Sequence, residues 1–533
     1  YFVGDAAVTT VSAAYYAGGP LPGADVHWRV TAEPGTYRPP NWDDFDFGYW
    51  VPWWLPGPSA YRWPGGREVR VEHYDALTDA AGEHALRIGF ESVDPVRPSV
   101  VTAEASVMDV NRQAWAASAN MLVHPADLYV GLRSEPTFVE RGTPIRVDAI
   151  VTDLDGNAVA GRLITVRSVR LQWEYARGEW QEVEVDEQIC SVTSADEPVR
   201  CTFETPEGGT YRITASIADD EDRRNETQIT RWVSGGQRPS ANRVELEDVT
   251  LIPDHEEYAP GDTAQILVQA PFAPAEGLLT VRRLGLVLTE RFTTDEPSIT
   301  LEVPIGEDDI PNVTVQVDLV GTAPRQNAEG EPDDDLPARP AYATGSLDLR
   351  VPAYSRTLSV ALAPREAELE PGGETVIDLQ VRDAEGEPVS DAEVAVIVVD
   401  EAVLALTGYT LADPITVFYP DRWSGVEDYR LRRFVLLADP DLLEAASRGM
   451  DEDGARMAAA GMAEPSAPAA APTMATQAVA EEAAMDMAGE AGQPDTPIRV
   501  RSDFNPLAVF SPENPTDADG TAEVVVALPD SLT

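Results

Sequence analysis

Hydrophobic and polar residues alternate with a period of two along most of the chain. In 143–153, Ile145, Val147, Ala149 and Val151 alternate with Arg146, Asp148 and Thr152. In 375–382, Ile377, Leu379 and Val381 alternate with Asp378, Gln380 and Arg382, and 210–217 places Tyr211, Ile213, Ala215 and Ile217 on one face. This period predicts strands with one buried face. No long stripe of helical spacing occurs. Short strands separated by Gly, Pro and Asp turns predict an all-β chain of tandem β-sandwiches.

An internal repeat divides the chain. Phe138-Val139-Glu140-Arg141-Gly142-Thr143, Tyr258-Ala259-Pro260-Gly261-Asp262-Thr263 and Leu369-Glu370-Pro371-Gly372-Gly373-Glu374 each precede an alternating strand, with the glycines roughly 110–120 residues apart. That spacing indicates tandem domains, since solenoid units run about 20–50 residues. The expected domains are 1–124, 125–235, 243–352, and 355–440 joined with 500–533; Gly235–Ser240 reads as a linker. Residues 441–499 break the pattern. They are rich in Ala, Glu, Met, Gly and Pro, hold six of the eight methionines, and contain no aromatic residue. Such composition cannot repay the ordering of a chain, so the segment is expected to be flexible. Residues 500–533 are too few to fold alone. Yet Ala522, Val524, Val526 and Leu528 alternate as a strand, so this piece is expected to complete the sandwich begun at 355. The flexible segment is then an insertion within one domain.

The 533 residues accommodate roughly four domains, and 43% hydrophobic content supports real cores. A net charge of −53 argues against nucleic-acid or anionic membrane partners. The chain contains no lysine, which a GC-rich genome explains. No apolar run is long enough to span a membrane, no signal peptide is visible, and the chain reads as a piece of something longer. Cys190 and Cys201 flank a turn-like stretch in an expected hairpin. A disulfide there would contribute roughly 3 kcal/mol and imply an oxidising compartment, the periplasm or cell exterior; the alternative is two buried thiols in a cytosolic protein.

Val399–Tyr409 resembles the stretch before the bait region of bacterial alpha-2-macroglobulins. Phe504–Phe510, Thr516–Gly520 and Leu528–Thr533 resemble the stretch after it, and Pro39–Gly48 resembles an aromatic loop of an upstream domain in those proteins. The resemblance runs in order over essentially the whole chain. It implies fibronectin-like macroglobulin sandwiches, a bait region that proteases cut, and a rearrangement that traps the protease. It also implies a downstream Cys-x-Glu-Gln thioester, a motif this chain lacks. In a parent protein with that thioester, missing lysine would limit self-acylation.

Arg448, Met450, Glu452, Arg456, Met457, Met462, Met474, Val479, Glu481, Met485 and Arg499 offer cleavage sites to proteases of several specificities, so target endopeptidases are the expected partners. Trp42, Trp50, Trp53, Trp54 and Trp63 form either a loop packed on neighbouring domains or a carbohydrate- or partner-binding surface. Asp153–Asn157, Asp383–Gly386 and Asp517–Gly520 resemble calcium loops, but glycine comes fourth rather than sixth, which fits β-turns better. The five histidines lack zinc spacing, no catalytic motif appears, and no cofactor or metal is expected. Asn225-Glu226-Thr227 and Asn312-Val313-Thr314 match a glycosylation pattern, by chance if the source is bacterial. The expected function is a broad endopeptidase inhibitor rather than an enzyme. A cell-surface adhesion or carbohydrate-binding array with a disordered spacer is the alternative.

Overall fold

The computed structural model describes residues 1–15, 18–54, 69–93, 95–109, 111–176, 179–236, 247–326, 332–333, 338–429 and 506–529. They form β-structure throughout, apart from short helical turns. Two compact units are present: Tyr1–Pro352 with Tyr419–Phe434, and Ala353–Phe418 with Val435–Thr533.

In the first unit, the N-terminal sheet orders Arg70–Leu77, Asp25–Pro34, Ser99–Met108 and Ala114–Val123. Alternation decides its inner face. Val26, Trp28 and Val30 are buried with Val101, Ala103 and Val107 against Ala7, Val11 and Ile88 of a two-stranded sheet. The next core lies between two sheets. One holds Val199–Phe203, Ile145–Thr152, Tyr129–Arg133 and Asp46–Phe47; the other holds Glu179–Thr193, Leu163–Ala176, Gly209–Ala218, Arg224–Val233 and Phe138–Val139. Val147, Ile164, Ile213 and Ile229 fill it, each fully buried. A third sandwich pairs a five-stranded sheet containing Ala275–Arg282, Leu286–Thr294, Asn312–Ala323 and Arg339–Arg350 with a sheet of Thr250–Pro253, Thr263–Gln269 and Ser298–Pro304.

The second unit has one sheet ordered Ser359–Pro364, Glu374–Arg382 and Thr521–Ala527, and a second of Glu393–Val399 with Leu507–Pro515. Its buried cluster is small: Leu379, Val396, Val524 and Val526.

The glycine repeat has a structural meaning. Gly142, Gly261 and Gly372 have φ of 88°, 100° and 78°, a region open to glycine without steric cost. The three N–H groups donate to the carbonyls of Thr205, Ile305 and Pro529. Each acceptor follows a strand paired with the strand after the glycine: Ile145–Thr152 with Val199–Phe203, Thr263–Gln269 with Ser298–Pro304, and Glu374–Arg382 with Thr521–Ala527. Thr521–Ala527 therefore occupies the position that nearer sequence fills in the other two.

Candidate cleavage segment and its supports

The eleven candidate cleavage residues, Arg448 to Arg499, lie outside the described residues, as does Trp63. The flanks of their segment are described. Glu393–Val399 and Leu507–Pro515 run antiparallel, with Val398 opposite Val509 and Val399 opposite Leu507. The pairing ends where the Asp400 N–H donates to the Pro506 carbonyl at 2.8 Å. Asp400 and Pro506 thus sit side by side at the end of this strand pair. Asp400 also starts the helix Glu401–Thr407, its carboxylate accepting from the Ala402 N–H at 2.8 Å. Gly408 ends that helix in the left-handed region, donating to the Leu404 carbonyl at 2.9 Å.

On the downstream side, Val524 and Val526 enter the same core as Leu379 and Val396. Burying each valine stabilises the fold by about 1.5–3 kcal/mol. Arg365 adds an exposed contact across the segment, reaching Asp378 at 2.7 Å and Glu523 at 2.5 Å.

Residues 249–406 match the alpha-2-macroglobulin bait region domain. The chain is thus similar to alpha-2-macroglobulins, with the bait region domain matched over part of its length. It is 23% identical over its whole length to an alpha-2-macroglobulin homolog of Nostoc sp., covering 26% of that protein, and 23% identical to alpha-2-macroglobulin of Xylella fastidiosa over 71% of this chain and 23% of that one. The native conformation of Escherichia coli alpha-2-macroglobulin aligns with 99% of this chain and 31% of its own, at 18% identity and a TM-score of 0.36. The chain spans about a quarter of the length of these curated relatives. The matched bait region domain stops at Leu406, upstream of 441–499.

Elsewhere in the chain, Cys190 and Cys201 are joined, with Cα atoms 6.1 Å apart. The two cysteines do not lie on a hairpin, contrary to the expectation from sequence. Cys190 lies in Glu179–Thr193 and Cys201 in Val199–Phe203, strands of opposite sheets, so the bond staples the sandwich across its core. An odd strand crossover, not a tight turn, brings the two thiols together.

The acidic turns form a set larger than sequence spacing indicated. Asp153, Asp383 and Asp517 each accept, through one carboxylate oxygen, the N–H groups two and four residues on, at 2.8–3.1 Å. Asp79, Asp109 and Asp219 do the same. The fourth residue has positive φ in all six: Gly82, Arg112, Gly156, Asp222, Gly386 and Gly520. These carboxylates serve their own backbone. The acidic group Asp127, Asp219 and Glu221 surrounds the Arg223 guanidinium, whose Nε lies 2.6 Å from Asp219.

The aromatic loop crosses onto the neighbouring core. Asp46–Phe47 extends the sheet at Tyr129–Arg133, and the Trp50 N–H donates to the Gln228 carbonyl at 2.9 Å. Trp42 donates its indole N–H to the Gly156 carbonyl at 3.0 Å. Trp50, Trp53, Trp54 and Trp232 stack edge to face or tilted, with centroids 4.5–6.0 Å apart, over buried Phe138, Ile252 and Leu267. Beneath Trp50, buried Arg231 donates to the Ser134 and Thr230 carbonyls. Burial lowers its guanidinium to about 10. Burial also raises the Asp46 carboxyl to about 6, despite the opposing pull of Arg231. Asn225 is buried and accepts from the Val130 N–H, so its glycosylation pattern is not presented at the surface.

Proposed function

We propose that this chain is the bait-bearing portion of an exported protease trap without catalytic activity of its own. Its domains run 1–124, 125–235, 243–352 and 355–440 with 500–533, and residues 441–499 are the bait. The observation that carries this reading is the pairing of Val399 with Leu507 and of Asp400 with Pro506 across the segment. A spacer needs only to join two finished domains. A segment inserted between neighbouring strands instead couples its own integrity to the packing of one domain, which is what a cleavage-triggered rearrangement requires. Similarity to alpha-2-macroglobulins supports the link to proteases, and the Cys190–Cys201 bond supports export.

Digestion of the full-length protein with trypsin-like, elastase-like and Glu-specific proteases tests the proposal. First cuts should fall within 441–499, since a protease needs several residues of free, extended backbone. The protease should then lose activity on large substrates while still hydrolysing small peptides, because the block is steric. First cuts scattered over other loops would defeat the reading. So would undiminished activity on large substrates, the outcome expected of an adhesion array.

A further inference from the structure

Residues Tyr419–Phe434 belong to the first unit although the chain on both sides belongs to the second. Within the first unit, residues 422–428 lie along the third sandwich and are held at four consecutive points. The Asn312 side chain clasps one residue twice: the Arg422 N–H donates to its Oδ1 at 2.7 Å, and its Nδ2 donates to the Arg422 carbonyl at 2.9 Å. The Trp423 and Ser424 carbonyls then accept the Leu284 and Gly285 N–H groups at 3.3 and 2.9 Å. Gly425 has φ of 70°, and a Cβ there would fall 2.4 Å from the Leu284 carbonyl carbon, so only glycine lets the two backbones approach. Finally, the Asp428 carboxylate receives both terminal nitrogens of Arg282, at 2.7 and 3.2 Å. Arg282 is 5% exposed, and its Nε donates to Thr280 Oγ1 at 2.8 Å. A buried guanidinium with one carboxylate partner strongly disfavours release of that partner.

We propose that residues 422–428 are a latch that sets the upstream limit of the cleavable segment and keeps its upstream stub seated on the third sandwich after the cut. This inference rests on the cleavage reading above. The backbone groups that a protease must engage at Arg422 are already hydrogen-bonded to the sandwich. Arg422 is itself a trypsin-type site, so it serves as an internal control against Arg448, Arg456 and Arg499. A cut downstream removes none of the four holds, because every donor and acceptor lies upstream of the segment.

The test is timed trypsin digestion of the full-length protein with mass mapping, together with hydrogen exchange of residues 422–428 before and after the first cut. In the wild type, the bond after Arg422 should survive at least tenfold longer than the first-cut sites, and exchange protection should persist after cleavage. Asp428→Asn and Gly425→Ala should each raise cleavage after Arg422 at least tenfold and abolish the protection. Gly425→Ala alters only the strap, so it remains informative if Asp428→Asn unsettles the sandwich through its unpaired arginine. Cleavage after Arg422 as fast as after Arg448 in the wild type would overturn the latch. Protection unchanged in Gly425→Ala would overturn it too. Failure of the cleavage reading looks different: first cuts outside 441–499 while Arg422 stays protected.

Discussion

Replacing Val524 and Val526 together with alanine tests whether the strand after the segment holds the cleaved halves together. These valines are two of the four residues in the buried cluster of the second unit, with Leu379 and Val396. Each substitution removes two buried methyl groups and leaves a cavity, which costs about 2 kcal/mol. The two sites share one face and one core, so partial coupling sets the pair at about 3–4 kcal/mol. That is a large fraction of the stability of a typical domain, about 5–15 kcal/mol. No covalent bond opposes separation after a cut, because the one disulfide lies wholly upstream. The Arg365–Glu523 contact is exposed and contributes little. Association of the two cleaved pieces should therefore weaken roughly 10²–10³-fold. The assay is single cleavage within 441–499 followed by size-exclusion chromatography at low micromolar concentration. Wild-type pieces should co-elute and variant pieces should separate, while the uncut variant remains folded. Variant pieces that stay together as tightly as wild-type ones would refute the reasoning.

Three further outcomes are expected. Asp46→Asn should stabilise the protein at pH 8 and leave it unchanged at pH 4: burial raises the folded carboxyl from 3.8 to about 6, so the native state holds a proton that the unfolded chain releases, and stability falls as pH rises through that window. The full difference corresponds to about 3 kcal/mol, and equal denaturation midpoints at pH 8 would count against it. Cys190→Ser with Cys201→Ser should cost about 3 kcal/mol in denaturant unfolding, from the entropy of closing a loop with a sequence separation of 11; free thiols in exported wild-type protein would contradict this. Gly156→Ala should undock the aromatic loop, since its Cβ would meet the Pro40 carbonyl oxygen at 2.2 Å at a φ of 81°; a cost above about 1 kcal/mol and a red shift in Trp42 fluorescence are expected, and an unchanged spectrum would dispute the docking.

Local pattern made the strands readable. Ile145, Val147 and Val151 alternate in sequence and are buried in the structure, and Ala522–Leu528 could be recognised as a strand for the same reason. What depends on distant chain was not readable. The two cysteines are near in sequence, but nothing local says that the chain changes sheets between them. The tryptophan stack needs Trp232, far from the loop it meets. Two of the Asp turns carry no sequence mark because positive φ falls on Arg112 and Asp222, where no glycine marks the place. Nothing local marks the strap at 422–428, since its partners Asn312 and Arg282 are more than a hundred residues away.

If residues 441–499 are a bait, the junction at Asp400 and Pro506 bears on how freely that bait can change. Upstream the chain is held by strand pairing at Asp400 and again at 422–428, and downstream at Pro506; on the reading proposed above, a loop of 441–499 would be registered by the host fold only through the entropy of closing it. That term grows logarithmically: doubling the loop adds about 0.6 kcal/mol. Insertions, deletions and wholesale replacement of residues 441–499 should then leave the host domain nearly indifferent, whereas one exchanged residue at Val526 should not. On that reading the segment could drift with the proteases it meets, as a replaceable cassette in a frame that need not be refolded to accept it.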